Sequence, residues 1–106
     1  MAEKPESLFK HRVRKFLKTL DRCWFVKVDQ MSLHGTPDFL ICLDRWFVAI
    51  ELKSSLEEVE KAKKSRTLQV YTLDLISKAG GLALMVSPEK WKEAEKLLSD
   101  MSKRVI

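Results

Sequence analysis

The sequence predicts an α/β fold, a mixed sheet flanked by helices, with elements in the order α-β-β-β-α-β-α. Three observations predict it. Apolar residues recur at helical spacing near both ends of the chain and again after residue 60. Between the first two helical stretches lie short runs of aromatic and branched residues, at 23–28, 38–43 and 46–53. Gly80-Gly81 then separates the second helix from a fourth apolar run. A length of 106 residues, 45% of them apolar, fits one domain spanning 1–106 with a core of its own.

The first helix is expected from residue 6 to about 20. Phe9, Val13, Phe16, Leu17 and Leu20 make its apolar stripe. Pro5 suits a helix start, and Glu6 places a negative charge in the first turn. Cys23 to Val28 reads as a strand, and 29–37 as a loop broken by Gly35. Strand character resumes at Asp38 and runs to Leu43. Asp44-Arg45 reads as a two-residue turn without the favoured glycine. The run from Trp46 to Lys53 is apolar on both faces, which marks a central strand.

Residues 54–59 show no clear period. A helix is expected from about Glu60 to Ala79, with Leu68, Thr72, Leu75, Ile76 and Ala79 as its core stripe and Gly80-Gly81 as its stop. Leu82 to Val86 is a short strand. Ser87-Pro88 gives an N-cap followed by proline, and a last helix runs to about Met101 on Trp91, Ala94, Leu97, Leu98 and Met101.

Several classes are excluded or disfavoured. No apolar run reaches the length of a membrane span, and Met1 to Glu6 carries no signal-peptide core. The expected location is the cytoplasm of a bacterial, archaeal or virus-infected cell. Cys23 and Cys42 make neither a disulfide framework nor a zinc site, and each reads as a small buried hydrophobe. Twenty Lys and Arg against fifteen Asp and Glu give a net charge of +5. The excess gathers in two clusters, Lys10 to Lys15 and Lys61 to Arg66. Such clusters suit a nucleic-acid partner, and they also suit a plain solvated helix face.

The register of the hairpin is the sharpest inference. If Leu43 faces Trp46 across a two-residue turn, then Asp38 lies opposite Glu51. A four-residue loop would preserve that pairing, and a three-residue loop would break it. Directly opposed Cβ atoms are about 4.5–5.5 Å apart. Lys53, two residues on, projects from the same face as Glu51. Like charges opposed in a sheet are destabilising, and charges in buried strands cost several kcal/mol unless compensated. Lys53 could compensate one carboxylate in a structural ion pair, or the residues could sit at a wet end of the sheet. The functional alternative is a Mg²⁺ or Mn²⁺ site, because hard cations take carboxylate oxygens and leave room for water and substrate phosphate. Such an ion polarises a phosphodiester and acidifies a water.

Pro37-Asp38, a hairpin, and then Glu51-Leu52-Lys53 resemble the PD-(D/E)XK nuclease signature. Within that superfamily the chain looks most like the VRR-NUC (virus-type replication and repair nuclease) domain. The resemblance rests on Glu6, on Gly35-Thr36-Pro37-Asp38, on Glu51-x-Lys53, on Ser65 to Gln69, and on Gly80 before the next strand; it covers about residues 6 to 86. It departs from the family in the glycine-free segment 54–64.

The resemblance implies a restriction-endonuclease-like core and a metal-dependent DNA endonuclease acting on branched or structured DNA of the flap or junction type. Asp38 and Glu51 would be metal ligands, Lys53 the catalytic lysine and Gln69 a further catalytic residue. Glu6 would be an accessory ligand. The expected cofactor is Mg²⁺ or Mn²⁺, and the expected partners are DNA and a second copy in a homodimer, with no membrane. Lys10, Arg12, Arg14, Lys63, Lys64 and Arg66 are candidates for phosphate contact, and His34, just before the site, for DNA contact. The alternatives are a Holliday-junction resolvase of the archaeal type, a non-catalytic DNA-binding module on the same fold, and a protein-interaction domain.

Overall fold

The computed structural model describes residues 5–28 and 34–103, with side chains from Ser7 onward. It is a mixed α/β fold. Helix α1 (Pro5–Leu17) is followed by strands β1 (Cys23–Lys27), β2 (Phe39–Leu43) and β3 (Trp46–Leu52), then by helices α2 (Leu56–Ser65) and α3 (Leu68–Lys78). Strand β4 (Leu82–Val86), a 3₁₀ turn (Pro88–Lys90) and helix α4 (Trp91–Ser102) complete it. The four strands lie in the order β1-β2-β3-β4. The first three are antiparallel, and β4 joins β3 in parallel. β3 is thus an inner strand, as its two apolar faces predict. No helix among the described residues is long and apolar enough to cross a membrane.

One face of the sheet carries the main core. Phe39, Ile41 and Leu43 of β2 and Val48, Ile50 and Leu52 of β3 meet Phe9, Val13 and Leu17 of α1. Trp91, Ala94, Leu98 and Met101 of α4 complete this layer. The Trp91 ring stands edge-on to Phe9 and Phe16, with centroids 5.9 and 5.5 Å apart, a favoured aromatic geometry. Leu97, expected in the same stripe, is exposed instead.

The opposite face carries the even-numbered residues of β2 and the odd-numbered residues of β3, since side chains alternate along a strand. α3 covers only part of it. Val70 and Leu73 line one recess with Ala83 and Met85 of β4. The β1–β2 half lies beyond that helix.

The hairpin turn sets the frame for everything on this second face. Leu43 pairs with Trp46 and Phe39 with Ile50, the register that the two-residue turn predicts. Asp44 and Arg45 both take positive φ, 45° and 77°. These are the signs of a type I′ turn, whose twist matches paired strands. The left-handed conformation costs a non-glycine residue about 1–2 kcal/mol. Two contacts hold Asp44 in it: its N–H donates to the Arg22 carbonyl at 2.9 Å, and its carboxylate lies 3.7 Å from the Arg22 guanidinium.

The structure differs from several expectations. The single helix expected over 60–79 is two helices, so the element order is not α-β-β-β-α-β-α. Arg66 breaks it, with φ 52° and ψ 58°, and the Thr67 hydroxyl accepts from the Val70 N–H to start α3. The segment 54–59, which shows no clear period in sequence, opens α2. Ser55 caps α2 by accepting from the Glu58 N–H at 3.2 Å, and Ser-x-x-Glu is a recognised helix-start pattern.

The α3 stripe is misplaced as well. Leu73 is its buried residue, whereas Leu68 and Leu75 are about half exposed. Finally, Cys42 is exposed rather than buried, while Cys23 is half-buried and packs against the core. Cys42 lies on the half of the sheet that α3 leaves open. Ser87 precedes a 3₁₀ turn and makes no side-chain cap, and α4 itself begins at Trp91.

Candidate active site

Asp38 and Glu51 lie one step beyond the last β2–β3 pair, Phe39 with Ile50. They stand where the hairpin register predicts, on the face opposite the main core. Both are buried, at 3% and 5% exposure. Asp38 is locked from two sides. Its backbone carbonyl accepts from the Val28 N–H at 2.8 Å, which extends the β1–β2 ladder. Its Oδ2 accepts from the Leu52 N–H at 2.7 Å. The β2–β3 ladder has ended there, so the carboxylate satisfies a buried donor that would otherwise be costly.

Glu51 sits on β3, paired with Met85 of β4. Lys53 follows on the same face, its N–H donating to the Val86 carbonyl at 2.9 Å and its Nζ lying 3.7 Å from Glu51 Oε2. The second oxygen, Oε1, is buried and has no hydrogen-bond partner among the described residues.

Lys10, a candidate for phosphate contact, stands beside the carboxylates. Lys10 of α1 places its Nζ 3.7 Å from Asp38 Oδ1, with a quarter of its side chain exposed. The site is therefore two carboxylates, each with one ammonium group nearby. Nothing in the sequence announces the Lys10 contact. It depends on how α1 lies across the sheet, which the packing of Phe9, Val13 and Leu17 fixes.

Glycine and the α3 N-terminus shape the approach. Gly35 is buried with φ 80°, and the Leu68 side chain occupies the space that a Cβ there would take. The step into Pro37-Asp38 therefore requires glycine twice over, for its backbone angle and for its contact. The same contact brings the start of α3 to this end of the sheet. Gln69, in the first turn of α3, is half-buried there.

The remaining candidates are scattered. Arg12 is on the flank of α1 toward α4, 3.8 Å from Glu95, whereas Arg14 shares the Lys10 flank and is exposed. Lys63 and Lys64 are exposed in the last turn of α2, and Arg66 is exposed in the link to α3. His34 is exposed beside Gly35. The side chain of Glu6 lies outside the described residues.

Asp38 and Glu51 can hold a divalent ion on chemical grounds. Each has an oxygen outside the backbone hydrogen-bond network, and an ion of the Mg²⁺ type commonly uses one or two carboxylates and completes its shell with water. The described residues contain no group of three or more His, Cys, Asp or Glu side chains placed for metal binding. Among the described residues, Asp38 and Glu51 are the carboxylates that such an ion could use. Comparison with protein-family profiles, with curated proteins and with solved structures gave no match.

The electrostatics lead to a pH prediction. Burial pushes the Glu51 carboxyl up from 4.5 to about 7, the Asp38 charge adds to the rise, and the Lys53 ammonium opposes it. Between these values the folded chain holds a proton that the unfolded chain has released. The contribution of Glu51 to stability is therefore full below pH 4.5 and is lost as pH rises to about 7. Glu51→Gln removes this loss. In urea unfolding, its stability relative to wild type should rise between about pH 5 and about pH 8. An identical difference at both pH values would contradict the assignment.

Proposed function

We propose that the chain is a divalent-metal-dependent deoxyribonuclease of the PD-(D/E)XK, VRR-NUC-like type, with Asp38 and Glu51 as metal ligands and Lys53 as the catalytic lysine. One observation carries the reading: two buried, opposed carboxylates, with Glu51 Oε2 beside Lys53 and Oε1 without a hydrogen-bond partner among the described residues. A purely structural ion pair does not require a second buried carboxylate, and like charges opposed in a sheet destabilise it. The order of helix, three-strand antiparallel meander, helices and parallel fourth strand is compatible with the restriction-endonuclease-like core.

In this reading each residue has a task. Asp38, fixed by the Leu52 amide, presents Oδ1 in a set direction. Glu51 presents Oε1 while Lys53 holds Oε2. A bound Mg²⁺ or Mn²⁺ supplies Lewis-acid polarisation of the phosphodiester and a more acidic water. The Lys53 ammonium, partly exposed, orients the attacking water or neutralises charge at the phosphate. Gln69 supports the water or the ligands from the first turn of α3. Arg14, Lys63, Lys64 and Arg66 hold the DNA backbone, and His34 touches DNA at the rim. The substrate is DNA, with flap- or junction-type branched DNA as the preferred form.

The DNA-cleavage test uses branched and linear DNAs with Mg²⁺ and with Mn²⁺. Asp38→Ala, Glu51→Ala and Lys53→Ala should each lower the rate by about a hundredfold or more while circular dichroism stays native. Undiminished cleavage by Asp38→Ala would exclude this site. Branched DNA bound but left uncut with either metal would favour the non-catalytic module.

The proposal extends to a homodimer, and the open half of the sheet supports it. Trp24, Cys42 and Phe47 form one row across β1, β2 and β3, and Val26, Leu40 and Ala49 form the next. Trp24 is 67% exposed and Phe47 47%. Leu68, Tyr71 and Leu75 make an exposed apolar ridge on α3. With aromatic side chains carrying about 150–250 Å² each, the apolar area is on the order of 500 Å². That is the upper range for a monomer's largest patch and much of the roughly 800 Å² that each partner buries in a stable complex. The two rows contain no charged residue to hold a phosphate, and such a face can pair with its own copy about a two-fold axis. Trp24→Glu should convert a dimer to a monomer in sedimentation velocity. A wild-type chain that stays monomeric at high concentration would rule this interface out.

A further inference from the structure

We infer that Lys10 is a built-in competitor for the cation at Asp38, a positioning residue that sets how tightly the site takes a divalent metal. The inference rests on the metal-site reading above and concerns a residue that this reading does not use.

Asp38 Oδ2 is committed to the Leu52 N–H at 2.7 Å. Glu51 Oε2 faces Lys53 at 3.7 Å. Glu51 Oε1 is buried and has no hydrogen-bond partner among the described residues. That leaves Asp38 Oδ1 as the second oxygen open to a cation, and the Lys10 ammonium stands 3.7 Å from it. Lys10 and a metal ion therefore draw on the same oxygen and carry charge of the same sign. Oδ1 is the Asp38 oxygen that the Leu52 amide does not already occupy.

Lys10 is the partner able to yield. Its side chain is a quarter exposed on a flexible stem, so the ammonium can swing into water. Asp38, at 3% exposure and bound through both carbonyl and carboxylate, cannot follow. Until a cation arrives, Lys10 offsets the charge of the buried Asp38. When one arrives, Lys10 must withdraw, and its remaining repulsion weakens the metal. Lys53 differs in kind, because it faces the Glu51 oxygen that the ion does not need.

The test is the Mn²⁺ affinity of the intact chain, measured by calorimetry without DNA at fixed ionic strength. Lys10→Met should bind Mn²⁺ about tenfold more tightly than wild type. Lys10→Arg, which keeps the charge, should stay near wild type. Lys92→Met removes an equal charge from an exposed position on α4 and should not change the affinity. Lys10→Gln serves as a second neutral variant if Lys10→Met does not fold. Equal or weaker Mn²⁺ binding by the neutral variants, with wild-type binding intact, overturns the inference alone. No Mn²⁺ binding by wild type or neutral variants overturns the metal-site reading, and the inference with it.

Discussion

A buried pair of carboxylates is the constraint on which the rest of the structure turns. Asp38 and Glu51 lie on neighbouring strands inside a small sheet, almost out of contact with water. Two negative charges so placed are unstable unless charge or protons come to them. The chain supplies three compensations from different elements. A backbone amide of β3 holds Asp38, Lys10 reaches in from α1, and Lys53 reaches back along β3. Glu51 still rises to about 7, so the compensation is incomplete. A site that remains short of positive charge after recruiting two lysines is suited to a divalent cation.

The surrounding fold serves that placement. The left-handed turn at Asp44-Arg45 fixes the hairpin register, and a slip of one residue would send one carboxylate to the core face. The main core of α1 and α4 against β2 and β3 holds the sheet from behind. Gly35 lets Leu68 close against the turn that leads into Asp38, which ties α3 to the same end of the sheet. The glycine is thus a packing requirement of the site as well as a turn residue.

The sequence is informative where the forces are local. Two-residue turn length and strict alternation determine the β2–β3 register, and both are visible in the residues from Asp38 to Lys53. β3 announces its inner position by apolar residues on both faces. Legibility fails where long-range packing decides. The ion pair of Lys10 with Asp38 links a helix to a strand 28 positions away, and no spacing rule reaches that far. The break at Arg66 lacks glycine, so the continuous periodicity concealed it. The Ser55–Glu58 cap was legible by a known pattern. The stripe Leu68, Thr72, Leu75 reads as core from period alone, and only the uncovered half of the sheet explains why its leucines remain outside.

The same chemistry joins the site to the surface around it. The two apolar rows of β1–β3 run directly into the row that holds Asp38 and Glu51. Basic residues lie instead on the Lys10 flank of α1 and around the α2–α3 link. The central claim, that Asp38 and Glu51 together ligate a divalent ion, is tested most directly by crystals of the protein soaked in Mn²⁺ and measured for anomalous scattering. The account predicts a peak in contact with both carboxylates. Saturating Mn²⁺ with no peak at Asp38 and Glu51, or a peak only elsewhere, would contradict it.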